Sequence, residues 1–222
     1  NIFDFVGKWN NTDVARIALM SGADTTNKDD GYISFDTTIA GTLIERVRID
    51  TEGKVLIGTQ TPGTMAAGVS APLQVEGINP ATASISLFRN SANAYAPYLM
   101  LGKSRGALNG VTTVVDNDWL GAIRFVGADG TDRENYGAEI RAEVNGTPAS
   151  NVMPAGLVFG TNSGSTVTTD RMVIASDGDV VIGTNSSTGL KNLLTVQSNT
   201  SKCATLRLQL YKDGTPEVAS GD

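Results

Sequence analysis

The chain contains no histidine, and its 222 residues include a single cysteine, Cys203. The first absence removes Ser-His-Asp and Cys-His nucleophilic arrangements and every histidine-ligated metal site. The second removes an intrachain disulfide framework and any cysteine-based zinc site. Cys203 stands opposite Ala204, Leu206, Leu208 and Leu210 in an alternating run, so it reads as an incidental free thiol with no histidine to activate it. Aromatic residues make up only 6% of the chain while glycine contributes 25 residues, a balance that suits many short strands with tight turns rather than a thick core. No apolar run approaches the roughly 20 residues that span a bilayer, and no signal peptide is visible. Basic residues are sparse: 17 Lys and Arg against 23 Asp and Glu leave a net charge of −6, with no basic stripe. Binding to nucleic acid relies on clustered Lys and Arg at the phosphates, so that class of partner is disfavoured. Helical periodicity is not sustained anywhere, and nothing in the chain assigns a cofactor.

What the chain does have is duplication. Residues 45–59 and 170–184 share seven of fifteen positions: Arg46/Arg171, Ile49/Ile174, Gly53/Gly178, Val55/Val180, Ile57/Ile182, Gly58/Gly183 and Thr59/Thr184. The match extends outward in the same order. Phe3–Gly7 aligns with Ile123–Gly127, Ala15–Ala18 with Ala138–Arg141, and Gly31–Phe35 with Gly156–Phe159 after one residue of slippage. Downstream, Leu73–Glu76 answers Leu194–Gln197, and Ala83–Leu87 answers Ala204–Leu208. One unit is therefore roughly 120 to 125 residues, and the chain holds a little under two. The abrupt start at Asn1, without an initiator Met, reads as a piece of a longer polypeptide. The expected division is a first β module over 1–105, a loop or linker over 106–118, and a second module over 119–222.

Alternation of period two predicts strands at Arg46–Ile49, Val55–Ile57, Ile85–Leu87 and Ala138–Val144, each with a buried apolar face and a polar face outward. Glu52-Gly53, Asp177-Gly178 and Asp129-Gly130 sit between such runs and predict tight turns with positive φ. Hairpins are thus expected from 46 to 58 and from 171 to 183. The stretches 60–71, 104–118, 145–154 and 161–169, rich in Gly, Ser, Thr, Asn or Pro, are expected loops, and 212–216 reads as a turn.

Phrases such as Glu-Arg-Val-Arg-Ile-Asp (45–50), Gly-Ala-Ile-Arg-Phe (121–125) and Ala-Glu-Ile-Arg-Ala-Glu-Val-Asn-Gly-Thr-Pro (138–148) resemble the repeats of tailed-phage tail fibres and tailspikes. In that family such repeats often lie upstream of an endosialidase-type intramolecular chaperone domain, which is not seen here. The resemblance covers most of the chain. It implies an all-β, elongated homotrimer in which three chains wrap or stack about one axis, outside the host cell and on the virion. Other tail proteins and a host-surface glycan are the partners it implies. A single-chain β-sandwich pair and a parallel β-solenoid are the alternative architectures, the latter disfavoured by a unit much longer than a solenoid coil.

Chemistry is thin. Paired carboxylates at Asp116/Asp118, Asp129/Asp132/Glu134 and Asp29/Asp30 are raw material for a depolymerase that cleaves glycosidic bonds, but each sits in a loop where Asp caps turns. The run from Asp116 starts like a calcium loop and then fails, with Leu120 at the fifth place and Gly127 at the twelfth. Neither a catalytic nor a metal site is assigned. Trp9, Trp119, Tyr95 and Tyr98, with Tyr136, are candidates for stacking on sugar rings. Trp9 is foremost, because the second copy has Asp129 at its aligned position. Arg46, Ile49, Gly53, Ile57, Gly58 and their counterparts Arg171, Ile174, Gly178, Ile182, Gly183 belong to the scaffold. The leading reading is a non-catalytic structural segment of a phage fibre that supports attachment; a glycan-binding module and a depolymerase are the rivals.

Overall fold

A computed structural model of the chain describes residues 2–24, 26–27, 29–66 and 68–183, and the main chain of 210–212 and 215–217. The described residues form strands and loops, without a helix. Six strands build the first sheet in chain order: β1 (Phe3–Trp9), β2 (Thr12–Ser21), β3 (Gly31–Ile39), β4 (Thr42–Ile49), β5 (Val55–Ile57) and β6 (Leu73–Val75). The first five run as an antiparallel meander, and β6 joins β5 in parallel. A second antiparallel meander comprises β7 (Trp119–Val126), β8 (Tyr136–Val144), β9 (Ala155–Thr161), β10 (Thr169–Ile174) and β11 (Val180–Ile182). β12 (Leu210–Lys212) and β13 (Thr215–Glu217) form a separate antiparallel pair. Antiparallel neighbours in chain order are not the coils of a parallel solenoid, so that alternative is set aside.

Local chemistry accounts for the turns. β1 and β2 are joined by Asn10 and Asn11, both at positive φ (46° and 64°), and β3 and β4 by Ala40 and Gly41 (50° and 82°). Two successive positive-φ residues make the hairpin turn whose twist matches its strands. The expected hairpins 46–58 and 171–183 are present as β4–β5 and β10–β11. Each closes with the same bond, Gly53 N to Asp50 O in one and Gly178 N to Ala175 O in the other, both 3.0 Å, with φ of 80° and 95° at the glycines. Asp129-Gly130 differs from expectation. Gly130 has positive φ, but it lies in a nine-residue connection between β7 and β8 rather than in a tight turn.

The register gives the shared arginines a role. Pairing slips by one residue on β4 at Arg46 and on β10 at Arg171, a β-bulge in each sheet. From the bulge Arg46 Nε donates to Thr37 Oγ1 and Arg171 Nε to Thr161 Oγ1, both at 2.9 Å. The main-chain oxygens of the same arginines accept from Gly58 N and Gly183 N at 3.2 and 2.8 Å. Thr184, Leu194–Gln197, Cys203 and Ala204–Leu208 lie outside the described residues.

Two expectations need correction. Ile85–Leu87 is not a strand: no strand occurs between β6 and β7, because in the single chain nothing lies alongside this stretch to pair with it. Burial is also reversed between the two faces. In the first sheet Phe5, Ile17, Phe35, Val47 and Ile57 stand opposite one another in a row, and Phe3, Leu19, Ile33, Ile49 and Val55 in the next. This apolar face is open, with Phe5 63%, Ile17 41% and Phe35 40% exposed. On the polar face Ala18, Ser34, Asp36, Leu56 and Gln74 are buried, because long charged side chains fold over the small ones and pair across strands.

Candidate functional site

The polar face of each sheet carries an ion-pair ladder. In the first sheet Arg16 Nε reaches Asp36 Oδ2 at 2.6 Å, and Arg48 grips Glu45 with two bonds of 2.7 and 2.8 Å. Arg48 also lies over the Tyr32 ring, 4.0 Å from its centroid. Gln74 on β6 fixes the preceding loop: its Nε2 donates to Gly63 O (3.2 Å) and Ala71 O (3.0 Å), and its Oε1 accepts from Gly63 N (2.9 Å).

In the second sheet Arg141 is the hub. It makes paired bonds to Asp170 (2.7 and 2.8 Å) and reaches Glu139 at 2.9 Å and Glu143 at 3.1 Å. The Trp119 ring lies 4.7 Å from its guanidinium carbon. The bonded Asp170 carboxylate raises the Arg141 pKa further, and Arg141 in turn holds the Asp170 carboxyl below its ordinary value. By register Glu139 occupies the place of Arg16 and Asp170 that of Glu45, so both copies place ion pairs on this face from different residues. Alternation over Ala138–Val144 predicts the strand but not this network, because it distinguishes two faces without saying which is covered.

The carboxylate clusters act as turn acceptors. Asp118 takes Arg105 Nε at 2.6 Å, Val115 N at 2.9 Å and Lys103 Nζ at 3.1 Å. Arg105 first, then the Val115 N–H, keep its carboxyl far below the usual range. Asp116 accepts from Gly146 N at 2.8 Å. Asp129 accepts from the main chain at Thr131 and Asp132, which lowers its pKa. A general acid needs the opposite shift. Among the described residues no three His, Cys, Asp or Glu side chains converge as ligands for a metal ion.

The candidate aromatic residues are dispersed. Trp9 ends β1 beside the Asn10-Asn11 turn and is 77% exposed. Trp119 opens β7, flanked by Arg141 and by Arg124, whose guanidinium carbon is 5.5 Å from the ring centre. Tyr95 and Tyr98 sit in the strandless stretch between the sheets, both exposed. Tyr136 is buried under Arg124. No ring contact among the described residues joins any two of them.

The most extensive continuous feature is therefore the open apolar face. Buried hydrophobic residues are few among those described: Ala18, Leu56, Val114, Tyr136, Val144 and Val158.

No family model matches the chain, and no curated protein is found similar to it. Solved structures do match. The carboxy-terminal domain of the bacteriophage T5 L-shaped tail fibre superposes with a TM-score of 0.65 at 16% identity, over 92% of this chain and 88% of that one. The same domain with its intramolecular chaperone domain gives 0.68 at 15% identity, over 96% of this chain and 64% of that one. The chain thus spans just under two thirds of the longer structure, and it shares the fold of this fibre domain.

Proposed function

We propose that the chain is a structural, non-catalytic segment of a bacteriophage tail fibre or spike. Three copies assemble about a common axis on the virion, outside the host cell, and hold the fibre in position for attachment to the host surface. The observation that carries this reading is the open apolar face in a chain with the fold of a tail-fibre domain. Closing the rows Phe5–Ile17–Phe35 and Ile123–Ile140–Phe159 against sister chains supplies the core that one chain lacks. A stiff shaft of several chains then presents each weak receptor contact several times over, raising avidity without one strong site. Other tail proteins are its neighbours along the fibre, and the modules 1–105 and 119–222 its stacked units. Sedimentation of the native protein tests this: a species of three chains supports it, and a stable monomer removes it.

A second reading, glycan recognition at Trp9, is favoured by that ring's exposure at a rigid hairpin turn. A glycan array that stays blank for the native assembly would end it. Release of reducing ends from host polysaccharide would overturn the non-catalytic assignment, which the lowered pKa values of Asp118 and Asp129, opposite to what a general acid needs, support.

A further inference from the structure

Between the two sheets lies a stretch in which every residue from 77 to 113 is exposed. Among the described residues, no main-chain to main-chain hydrogen bond involves residues 84–104. A bend at 92–94 divides it into two limbs; there Asn93 N donates to Ser91 Oγ at 3.4 Å and Tyr95 N to Asn93 Oδ1 at 3.2 Å. The second limb ends on its own chain. Leu99 and Leu101 line a depression of about 240 Å³ on the second sheet with Gly121, Ala142 and Leu157. Gly121 makes the approach possible, since a Cβ there would lie 2.6 Å from Leu101 Cβ.

The first limb carries the same spacing, Ile85 and Leu87, and all four side chains stay largely open: Ile85 is 71%, Leu87 54%, Leu99 70% and Leu101 51% exposed. Their alternation with Ser84 and Ser86 is that of a strand, with one side apolar and the other polar. The first sheet offers a depression of matching design. Gly7, Ala15 and Thr37 form its floor beside the row Phe5–Ile17–Phe35, with a volume of about 520 Å³.

We propose that Ile85 and Leu87 of one copy seat in this depression on a second copy, so that the stretch is an arm exchanged between neighbouring chains. The chain's own route disfavours self-docking: the arm leaves from β6, at the edge of the sheet away from β1 and β2, and its far end runs to the second sheet, where Leu99 and Leu101 border the depression beside Gly121. Each copy has one arm and one depression, and such a head-to-tail contact closes into a ring with none left over. Fifteen residues, 84–98, reach on the order of 50 Å when extended, enough to cross to a neighbour. The unpaired main chain of the limb is itself suited to strand addition on the copy that receives it.

The proposal rests on the multi-copy reading above, and its test separates the two. Leu87→Cys in one tagged chain and Ala15→Cys in another, both with Cys203→Ser, are co-expressed and treated with a short thiol-to-thiol cross-linker. A two-chain band on a denaturing gel, absent when either variant is expressed alone, is the expected result. An assembly of several chains that gives no such band, or a doubly substituted chain that links only within itself, overturns the arm and leaves the fibre reading intact. A monomeric native mass overturns both. Amide exchange on the unsubstituted assembly gives a second readout: the amides of 84–90 exchange at least tenfold more slowly than in a free chain, and free-chain rates would refute the docking.

Discussion

Ile17→Asp places a carboxylate in the middle of the row Phe5–Ile17–Phe35. Within one chain the change is mild, because Ile17 is already 41% exposed. In an assembly that closes this face, the exposed part of the side chain is buried against a sister chain. Full burial of an isoleucine is worth about 1.5–3 kcal/mol, so the part still open contributes about 1 kcal/mol per chain. An unpaired carboxylate in the same closed interface costs several kcal/mol more. Over three chains the sum is of the order of 10 kcal/mol, or about seven decades in the association constant. Val14→Asp is the matched control. Val14 has the same 41% exposure but is the extra residue of the β1–β2 bulge, outside the apolar rows. Sedimentation and circular dichroism are measured together. Ile17→Asp is expected to dissociate and to lose strand signal as it does so, while Val14→Asp stays assembled and folded. Retention of the native mass by Ile17→Asp, or equal dissociation of both variants, would refute the reasoning.

Three further outcomes are expected. Gly58→Ala meets the Glu76 carbonyl at a residue of φ 80°, so denaturant titration should show a loss of about 2 kcal/mol or more; Gly53→Ala, with nothing within 4 Å, should lose only about 1 kcal/mol. Ala40→Asn relieves an alanine held at φ 50° in the β3–β4 turn and should add about 0.5–1 kcal/mol, read as a melting temperature higher by a few degrees. Asp170 has a folded pKa below 3.8 because Arg141 binds its charged form. Its stabilisation is therefore complete above the unfolded value and is lost as pH falls through the lower folded value. Asp170→Asn should remove about 1 kcal/mol at neutral pH, since the carboxylate is half exposed, and should flatten the acid limb of a stability curve.

The hairpins around Arg46 and Arg171 were legible in the sequence because their chemistry is local. A glycine at positive φ, a second glycine bonding back to the bulge, and alternating aliphatic residues on either side need little from the rest of the chain. Further from that block, register diverges from the residue match. Phe5 pairs with Ile17 in the first sheet, but in the second it is Ile123, two residues before Phe125, that faces Ile140. A shift of two keeps every side chain on its face, so the pattern alone does not expose it. The Arg141 network and the strandless stretch 84–104 were not legible for a different reason. Each depends on what lies against a face or an edge, and a single sequence records the alternation at Ile85–Leu87 without recording its neighbour. Among the candidate sugar-stacking residues, the turn beside Trp9 was readable from Asn10-Asn11, whereas the approach of arginines from β7 and β8 to the Trp119 ring required the register.

The central claim is that the apolar faces are closed by sister copies of the chain. The mass of the native protein in solution tests it most directly. Three chains of 23.1 kDa give 3 × 23.1, about 69 kDa, the value the fibre reading requires. A stable, folded species of 23.1 kDa with these faces open to water would contradict it.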